Sequence, residues 1–217
     1  MSLRRFAILG DIHAEHETLS SVLDFIRDQC VESVLAVGDI VDGPGDVNAC
    51  CRLLTESAAQ VVRGNHERWF LKGTLRNLPD ATLDRDVDTS SRAFLATLPS
   101  TRRVGTLRGD LLLCHATRED DLHAVGPDDF GYALETNDEL QKVLRDPRIR
   151  MLVCGHTHRR MVRRVGPLTI INAGTLRRDE GPGFGIVDVG DSPHVTFFER
   201  IPGAAIVVTD IIALSFV

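Results

Sequence analysis

The sequence predicts an α/β protein built around a largely parallel sheet. In the first half of the 217-residue chain, short apolar runs alternate with amphipathic helical stretches in the order β-α-β-α-β. Such units return to the same sheet by right-handed crossovers. In the last third, apolar runs succeed one another with little helical sequence between them, so strands dominate there. A composition of 43% hydrophobic and 26% charged residues supports one compact domain over 1–217. Within it, 117–136 reads as a lid or insertion and 204–217 as an apolar C-terminal extension.

From the N-terminus, Phe6 to Leu9 is an apolar run suited to a buried strand. Leu19, Val22, Leu23 and Ile26 fall at i, i+3, i+4 and i+7, the stripe of an amphipathic helix. Ser33 to Val37 is the second strand, Val47 to Glu56 a helix, and Gln60 to Arg63 the third strand. Trp69 to Leu78 and Ser90 to Leu98 read as helices, the second closed by Pro99. Arg102 to Leu107 and Leu111 to Cys114 read as a hairpin around Arg108-Gly109-Asp110. The polar, Gly- and Asp-rich stretch 117–136 is a loop, and Asp138 to Leu144 a short helix. Strands are expected over Met151–Cys154, Met161–Val165, Leu168–Ile171, Gly185–Val189 and His194–Phe198. The tail AAIVVTDIIALSFV, interrupted by Asp210, is a docked strand or helix, with an oligomer contact as the alternative.

The net charge of −6 gives no general attraction to nucleic acid or anionic membrane. A phosphate ligand would have to be drawn by local cations. Five cysteines, at 30, 50, 51, 114 and 154, form no CxxC pair and suit reduced thiols of a cytoplasmic protein. The N-terminal MSLRRFAILGD meets charge too soon for a signal peptide, and no apolar stretch is long enough to span a membrane.

The polar residues just past the strand ends carry the chemistry. They are Gly10-Asp11-Ile12-His13, Gly38-Asp39-Ile40-Val41-Asp42-Gly43, Gly64-Asn65-His66-Glu67, His115, and Gly155-His156-Thr157-His158. Ligands of open α/β sheets bind outside the carboxyl ends of strands, so all five segments can converge. Within RMLVCGHTHRRM, residues i and i+2 of an extended chain point the same way, which aims His156 and His158 together. Aspartate, histidine and asparagine suit a first-row divalent ion such as Mn²⁺, Fe²⁺ or Zn²⁺. No thiolate is offered, which argues against a closed structural zinc site. Asp11, His13, Asp39, Asn65, His115, His156 and His158 are too many for one four-coordinate ion and suit two ions sharing a carboxylate. Each motif alone is commonly a turn or a cap. Yet five of the eight histidines fall in these loops, each behind an apolar strand.

Taken in order, D-x-H, GD-x-x-D-G, GNHE, a lone histidine and GHTH resemble the calcineurin-like metallophosphoesterase superfamily, from about residue 5 to 190. The resemblance implies a four-layer α-β-β-α sandwich with two mixed sheets and a dinuclear metal site at the sheet edge. By match, one ion would take Asp11, His13 and His158, the other Asn65, His115 and His156, with Asp39 bridging. It further implies His66 as proton donor to the leaving group and Asp42 as the residue orienting it. The implied cofactors are two divalent ions (Mn²⁺, Fe²⁺, Zn²⁺ or Ni²⁺), with Mn²⁺ the first choice. The implied reaction is hydrolysis of a phosphodiester, or a monoester, by metal-bridged hydroxide. Two rivals are a dinucleoside polyphosphate hydrolase and a non-catalytic scaffold on the same fold, as in a retromer subunit.

Protein phosphatases of this superfamily read GD-x-x-D-R-G, with the arginine on the substrate phosphate, where this chain has Gly43. The segment Ile171 to Leu176, INAGTL, is similar to a small-residue stretch of the family's small phosphodiesterases, and its small side chains would admit close backbone approach. Arg118, Arg68, Arg159 and Arg160 are either solvated surface or the candidates to replace the missing clamp, Arg118 first, and His123 is either an exposed loop histidine or a second donor. The expected partner is a small phosphorylated substrate, with homo-oligomerisation left open.

Overall fold

Alternation along the first strand sets the layers. In the computed structural model, which describes residues 2–201 and 205–216, β1 is Arg5–Leu9. Phe6 and Ile8 enter one apolar cluster with Leu111, Leu113, Met151, Val153 and Ile171. Ala7 and Leu9 enter another with Leu19, Val22, Ile26, Cys50 and Leu54. Period two thus sends one face of the strand to a second sheet and the other to helices.

The first sheet contains β1, β2 (Val34–Ala36), β3 (Gln60–Val61), β9 (Gly183–Asp188), β10 (His194–Arg200) and β11 (Ile206–Ala213), in the order β11-β10-β9-β1-β2-β3. The second contains β4 (Thr101–Thr106), β5 (Gly109–Cys114), β6 (Ile149–Cys154), β7 (Met161–Val165) and β8 (Leu168–Asn172), in the order β4-β5-β6-β8-β7. Both are mixed: β1, β2 and β3 run parallel, as do β5, β6 and β8, and antiparallel strands flank each set.

Helices α1 (His16–Arg27), α2 (Val47–Glu56), α3 (Asn65–Lys72) and α4 (Thr89–Thr97) cover the outer face of the first sheet. The second sheet is covered more thinly. Leu140 and Val143 of α6 (Asp138–Leu144) pack on Leu112, Leu152 and Ile170. These are the four layers, α-β-β-α, that the family resemblance implied.

Four details differ from the sequence expectation. Helix α3 begins at Asn65 and stops at Lys72, because Gly73 takes a left-handed C-terminal conformation with φ 64°; the helix expected over 69–78 is displaced toward the N-terminus. Strand β3 has only two residues. The hairpin turn falls on Leu107-Arg108, one residue early, since Thr106 pairs with Gly109. The loop 117–136 contains one short helix, α5 (Tyr132–Glu135). Arg163 of β7 holds this loop through the carbonyls of Gly126 and Asp129.

The apolar tail is a strand: β11 pairs antiparallel with β10 at the sheet edge. Residues 204 and 217 of the expected extension lie outside the described residues. Among the described residues, no helix is long and apolar enough to cross a membrane.

The contact between sheets can be weighed at Ile8, which has no exposed surface. Ile8→Ala is expected to cost about 2–5 kcal/mol, read as a lowered denaturation midpoint in urea.

Candidate metal centre

The parallel strands β1, β2, β3, β5, β6 and β8 all end at one edge, and the polar loops emerge from them there. Close backbone approach draws the two sheets together at that edge. A Cβ on Gly10 would lie 1.8 Å from the Gly174 carbonyl oxygen, so only glycine fits. The Asp11 amide donates to that oxygen at 3.2 Å, and the Leu176 amide donates to the Asp11 carbonyl at 2.8 Å. The INAGTL segment therefore stitches the end of β8 to the end of β1.

A second device shapes the loop after β2. The buried Glu67 carboxylate accepts hydrogen bonds from the amides of Asp39 (2.9 Å), Ile40 (2.6 Å), Val41 (3.1 Å) and Gly64 (2.8 Å). One side chain thus caps its own helix and ties down the loop that carries Asp39. Burial and the Asp39 charge push the Glu67 carboxyl up to about 7, against the amides that pull it down.

All seven candidate ligands meet. One group is Asp11, His13 and His158, whose nearest ligand atoms lie within 4.8 Å of one another. A second is Asp39, His115 and His156, equally close. Asn65 joins the second group, its Oδ1 lying 2.7 Å from His115 Nε2 and 3.1 Å from His156 Nδ1. Asp39 Oδ2 lies between the groups, 3.2 Å from His115 Nε2 and 4.0 Å from His13 Nε2.

The outer nitrogens determine the tautomers. His13 Nδ1 faces the Asp42 carbonyl at 2.8 Å, and His115 Nδ1 faces the Val37 carbonyl at 2.9 Å. A carbonyl only accepts, so each Nδ1 carries a hydrogen, and once the ring is neutral its Nε2 presents a lone pair inward. Glu180 fixes His158 in the same sense at 2.7 Å. His13 Nε2 and His158 Nε2 then face each other at 3.1 Å, and His115 Nε2 meets Asn65 and Asp39 oxygens. Lone pairs this close repel unless a positive charge sits among them. Metal-bound histidines show this pattern, with the second nitrogen donating to a carbonyl or carboxylate. The donor set fits divalent cations.

Titration expresses the same demand. Burial lowers His13 to about 4, so it offers its lone pair freely. Burial raises the Asp11 carboxyl to about 6, against the pull of His115. Burial would also lower His115, but Asp39 and Asp11 outweigh it and push the ring up to about 10. Asp39 stays below the usual carboxylate range: the His115 charge and hydrogen bond overcome its burial.

His66 lies on the first turn of α3. Its Nδ1 donates to Asp42 Oδ2 at 2.7 Å, and its Nε2 faces Asp39 Oδ2 at 3.9 Å. Adjacent Asn65 and His66 thus both turn toward the centre. Burial would lower the His66 pKa, but Asp42 and Asp39 raise it above the ordinary value. The Trp69 ring packs beside it, centroids 4.8 Å apart.

The two GHTH histidines reach the centre by another route than an extended chain. His156 and His158 have φ of 67° and 57°, in the left-handed region. His13, Asp39, Asp42 and Arg118 share that conformation. Backbone strain is concentrated where the loops converge.

The arginines divide. Arg68 forms a two-pronged bond to Asp121 (2.6 and 2.7 Å), and Arg118 bonds Glu139 at 2.8 Å. Both line a cleft of about 470 Å³ with Arg63, Ser100 and His115, so they stand beside the centre without touching its ligands. Arg159 pairs with Asp128 on the surface. Arg160 bonds Glu199 and the Phe198 carbonyl, so its guanidinium is spent on β10. His123 is exposed and pairs with Asp120.

Sequence reasoning gave no role to Glu67, although GNHE displays it, and missed Arg76, Thr82 and Glu180 altogether. Arg76 and Thr82 hold Asp42, and Glu180 holds His158, from segments with no local signal.

A family model for the calcineurin-like phosphoesterase superfamily domain matches residues 5–192, and the chain belongs to that superfamily. A 61-residue segment is 33% identical to an uncharacterized protein of Methanocaldococcus jannaschii, spanning 28% of this chain and 25% of that protein. The chain therefore aligns with about a quarter of that relative's length. Among solved structures, a hypothetical protein of Pyrococcus horikoshii OT3 superposes with a TM-score of 0.72 at 17% identity, covering 90% of this chain and 87% of that one. A candidate diadenosine tetraphosphatase gives 0.59 at 25% identity, covering 95% and 93%. Vps29 of Entamoeba histolytica, complexed with zinc, gives 0.57 at 17% identity, covering 96% and 98%.

A proton on His115 competes with a cation, so affinity at the Asn65, His115 and His156 group is expected to rise as pH rises toward about 10. Calorimetry with zinc should show a slope of about tenfold per pH unit and release of about one proton there; at the His13 group the Asp11 proton competes only below about 6, so that part of the slope is absent well above it. Glu67→Gln places an amide donor against two of the four backbone amides and is expected to weaken zinc binding by about 10–100-fold, measured by equilibrium dialysis.

Proposed function

We propose that the chain is a metal-dependent phosphoesterase that hydrolyses a phosphodiester, or a monoester, with His66 as proton donor. The observation that carries this reading is the Asp42–His66 pair. Nδ1 is anchored at 2.7 Å and Nε2 is turned to the Asp39 carboxylate at the centre of the ligand cluster. A passive scaffold needs no such pair.

Two divalent ions, with Mn²⁺ the first choice, would acidify a water there and offset negative charge on the phosphate. Asp11, His13 and His158 are assigned to one ion, Asn65, His115 and His156 to the other, and Asp39 to both. The chain's own work is positional. Asp42 favours the charged form of the His66 ring and aims it, and the Trp69 ring packs against one side of it. From Nε2 a proton passes to the departing oxygen, which is otherwise a poor leaving group. The cleft holding Arg68 and Arg118 is assigned to the rest of a small phosphorylated substrate, and the net charge of −6 argues against nucleic acid. Cys50, Cys51, Cys114 and Cys154 are buried free thiols, in keeping with a reducing, cytoplasmic setting.

A second reading is hydrolysis of dinucleoside polyphosphates. Two observations favour it: the 25% identity to a candidate diadenosine tetraphosphatase and the roomy polar cleft beside the centre.

The test compares bis(p-nitrophenyl) phosphate, cyclic AMP and diadenosine tetraphosphate on metal-loaded protein. His66→Ala is expected to keep its metal and to lose about 10²–10⁴-fold in kcat on alkoxide leaving groups, and much less on the activated aryl ester. Equal losses on both would exclude His66 as proton donor.

A further inference from the structure

We propose that Arg76 is a positioning residue for the proton-donating pair, acting through Asp42; this rests on the role assigned to His66 above. Arg76 lies beyond the end of α3, in the segment leading to the 3-10 turn Asp84–Asp86. It is 34 residues from Asp42, yet its guanidinium grips that carboxylate with two bonds. Nη1 donates to Oδ1 at 2.7 Å and Nη2 to Oδ2 at 2.9 Å. The Thr82 amide adds a donor to Oδ1 at 2.8 Å, and the Asp42 amide donates back to the Thr82 hydroxyl at 2.8 Å. With His66 Nδ1 on Oδ2, the carboxylate has four donors, two on each oxygen. Its plane is therefore set, and so is the direction from which His66 is held.

The geometry favours this role over a clamp on substrate. Arg76 Nε is spent on the Thr74 carbonyl at 2.9 Å, and Nη1 also reaches the Thr82 carbonyl at 3.3 Å. The side chain is 21% exposed, and four bonds direct its donors inward. Asp42 has a left-handed backbone, with φ 64°. A short side chain on a strained turn would otherwise find another rotamer, and the two-pronged grip of a planar guanidinium removes that freedom. Lysine, a single point charge, restores the charge without the plane.

Arg76→Lys, Arg76→Gln and Arg76→Ala are to be made in the full chain and loaded with zinc. Metal content is expected to stay at the wild-type value. For Gln and Ala, kcat on cyclic AMP is expected to fall about 10–100-fold, while KM stays within about threefold and bis(p-nitrophenyl) phosphate is much less affected. In a His66→Ala background the Arg76 change should cost nothing further, because both act through one group. A raised KM with kcat intact, or additive losses in the double variant, would overturn the proposal. A second measurement does not need turnover. The His66 Nδ1–H proton should give a downfield resonance in zinc-loaded protein, absent in Asp42→Asn. Its loss or broadening in Arg76→Gln and retention in the wild type supports the proposal, and an unchanged signal in Arg76→Gln refutes it. If His66→Ala slows both substrates equally, the proton-donor reading fails, and the resonance still decides whether Arg76 holds the pair.

Discussion

The structure turns on a local excess of electron pairs. At one edge of the sandwich, Asp11, Asp39 and Asn65 oxygens and the inward nitrogens of His13, His115, His156 and His158 crowd together, the first three and His13 and His115 buried and the two GHTH histidines partly so. Solvent screens the buried members poorly, and no arginine or lysine enters among them in the described residues. Only a compact positive charge relieves the arrangement, and protons relieve it in part, as the raised His115 shows. The fold can hold such a cluster because four of its members are fixed from behind: His13 by the Asp42 carbonyl, His115 by Val37, His158 by Glu180, and the Asp39 loop by Glu67. The clustering is enforced by hydrogen bonds that point away from the centre.

Much of this was legible in the sequence, for a local reason. A buried parallel strand is a continuous apolar run, and the residues immediately C-terminal to it must emerge at the carboxyl edge. Each candidate ligand sits within a few residues of such a run, so strand assignment alone gathers the seven. The alternation of Phe6, Ala7, Ile8 and Leu9 between two clusters is equally local, and with it the layering.

The supports of the site escaped because tertiary contact sets them. Arg76 and Glu180 lie in irregular segments, and their partners Asp42 and His158 are 34 and 22 residues away. No spacing rule links them. The start of α3 is hidden because Asn65 and Glu67 serve at once as site residues and as the first turn of a helix, and the chemical motif masks the capping one. The tail is ambiguous in sequence because a run of valine and isoleucine broken by Thr209 and Asp210 suits either element; pairing with β10 decides it. The GHTH histidines converge as expected, but not for the expected local reason. An extended chain and a run of left-handed turns can both aim alternate side chains one way, and only coordinates separate them.

Those left-handed turns also restrict the alphabet of the loops. Asparagine, aspartate and histidine are the side-chain-bearing residues that most readily accept positive φ, and they are also good donors to first-row ions. At Asp39, His13, His156 and His158 one residue type satisfies both requirements. Glutamate or glutamine could supply a donor atom at such a position, yet each is longer and less at home in that backbone. Drift in these loops is therefore filtered twice, by coordination chemistry and by torsion angle, which leaves few residues acceptable at each of the four positions.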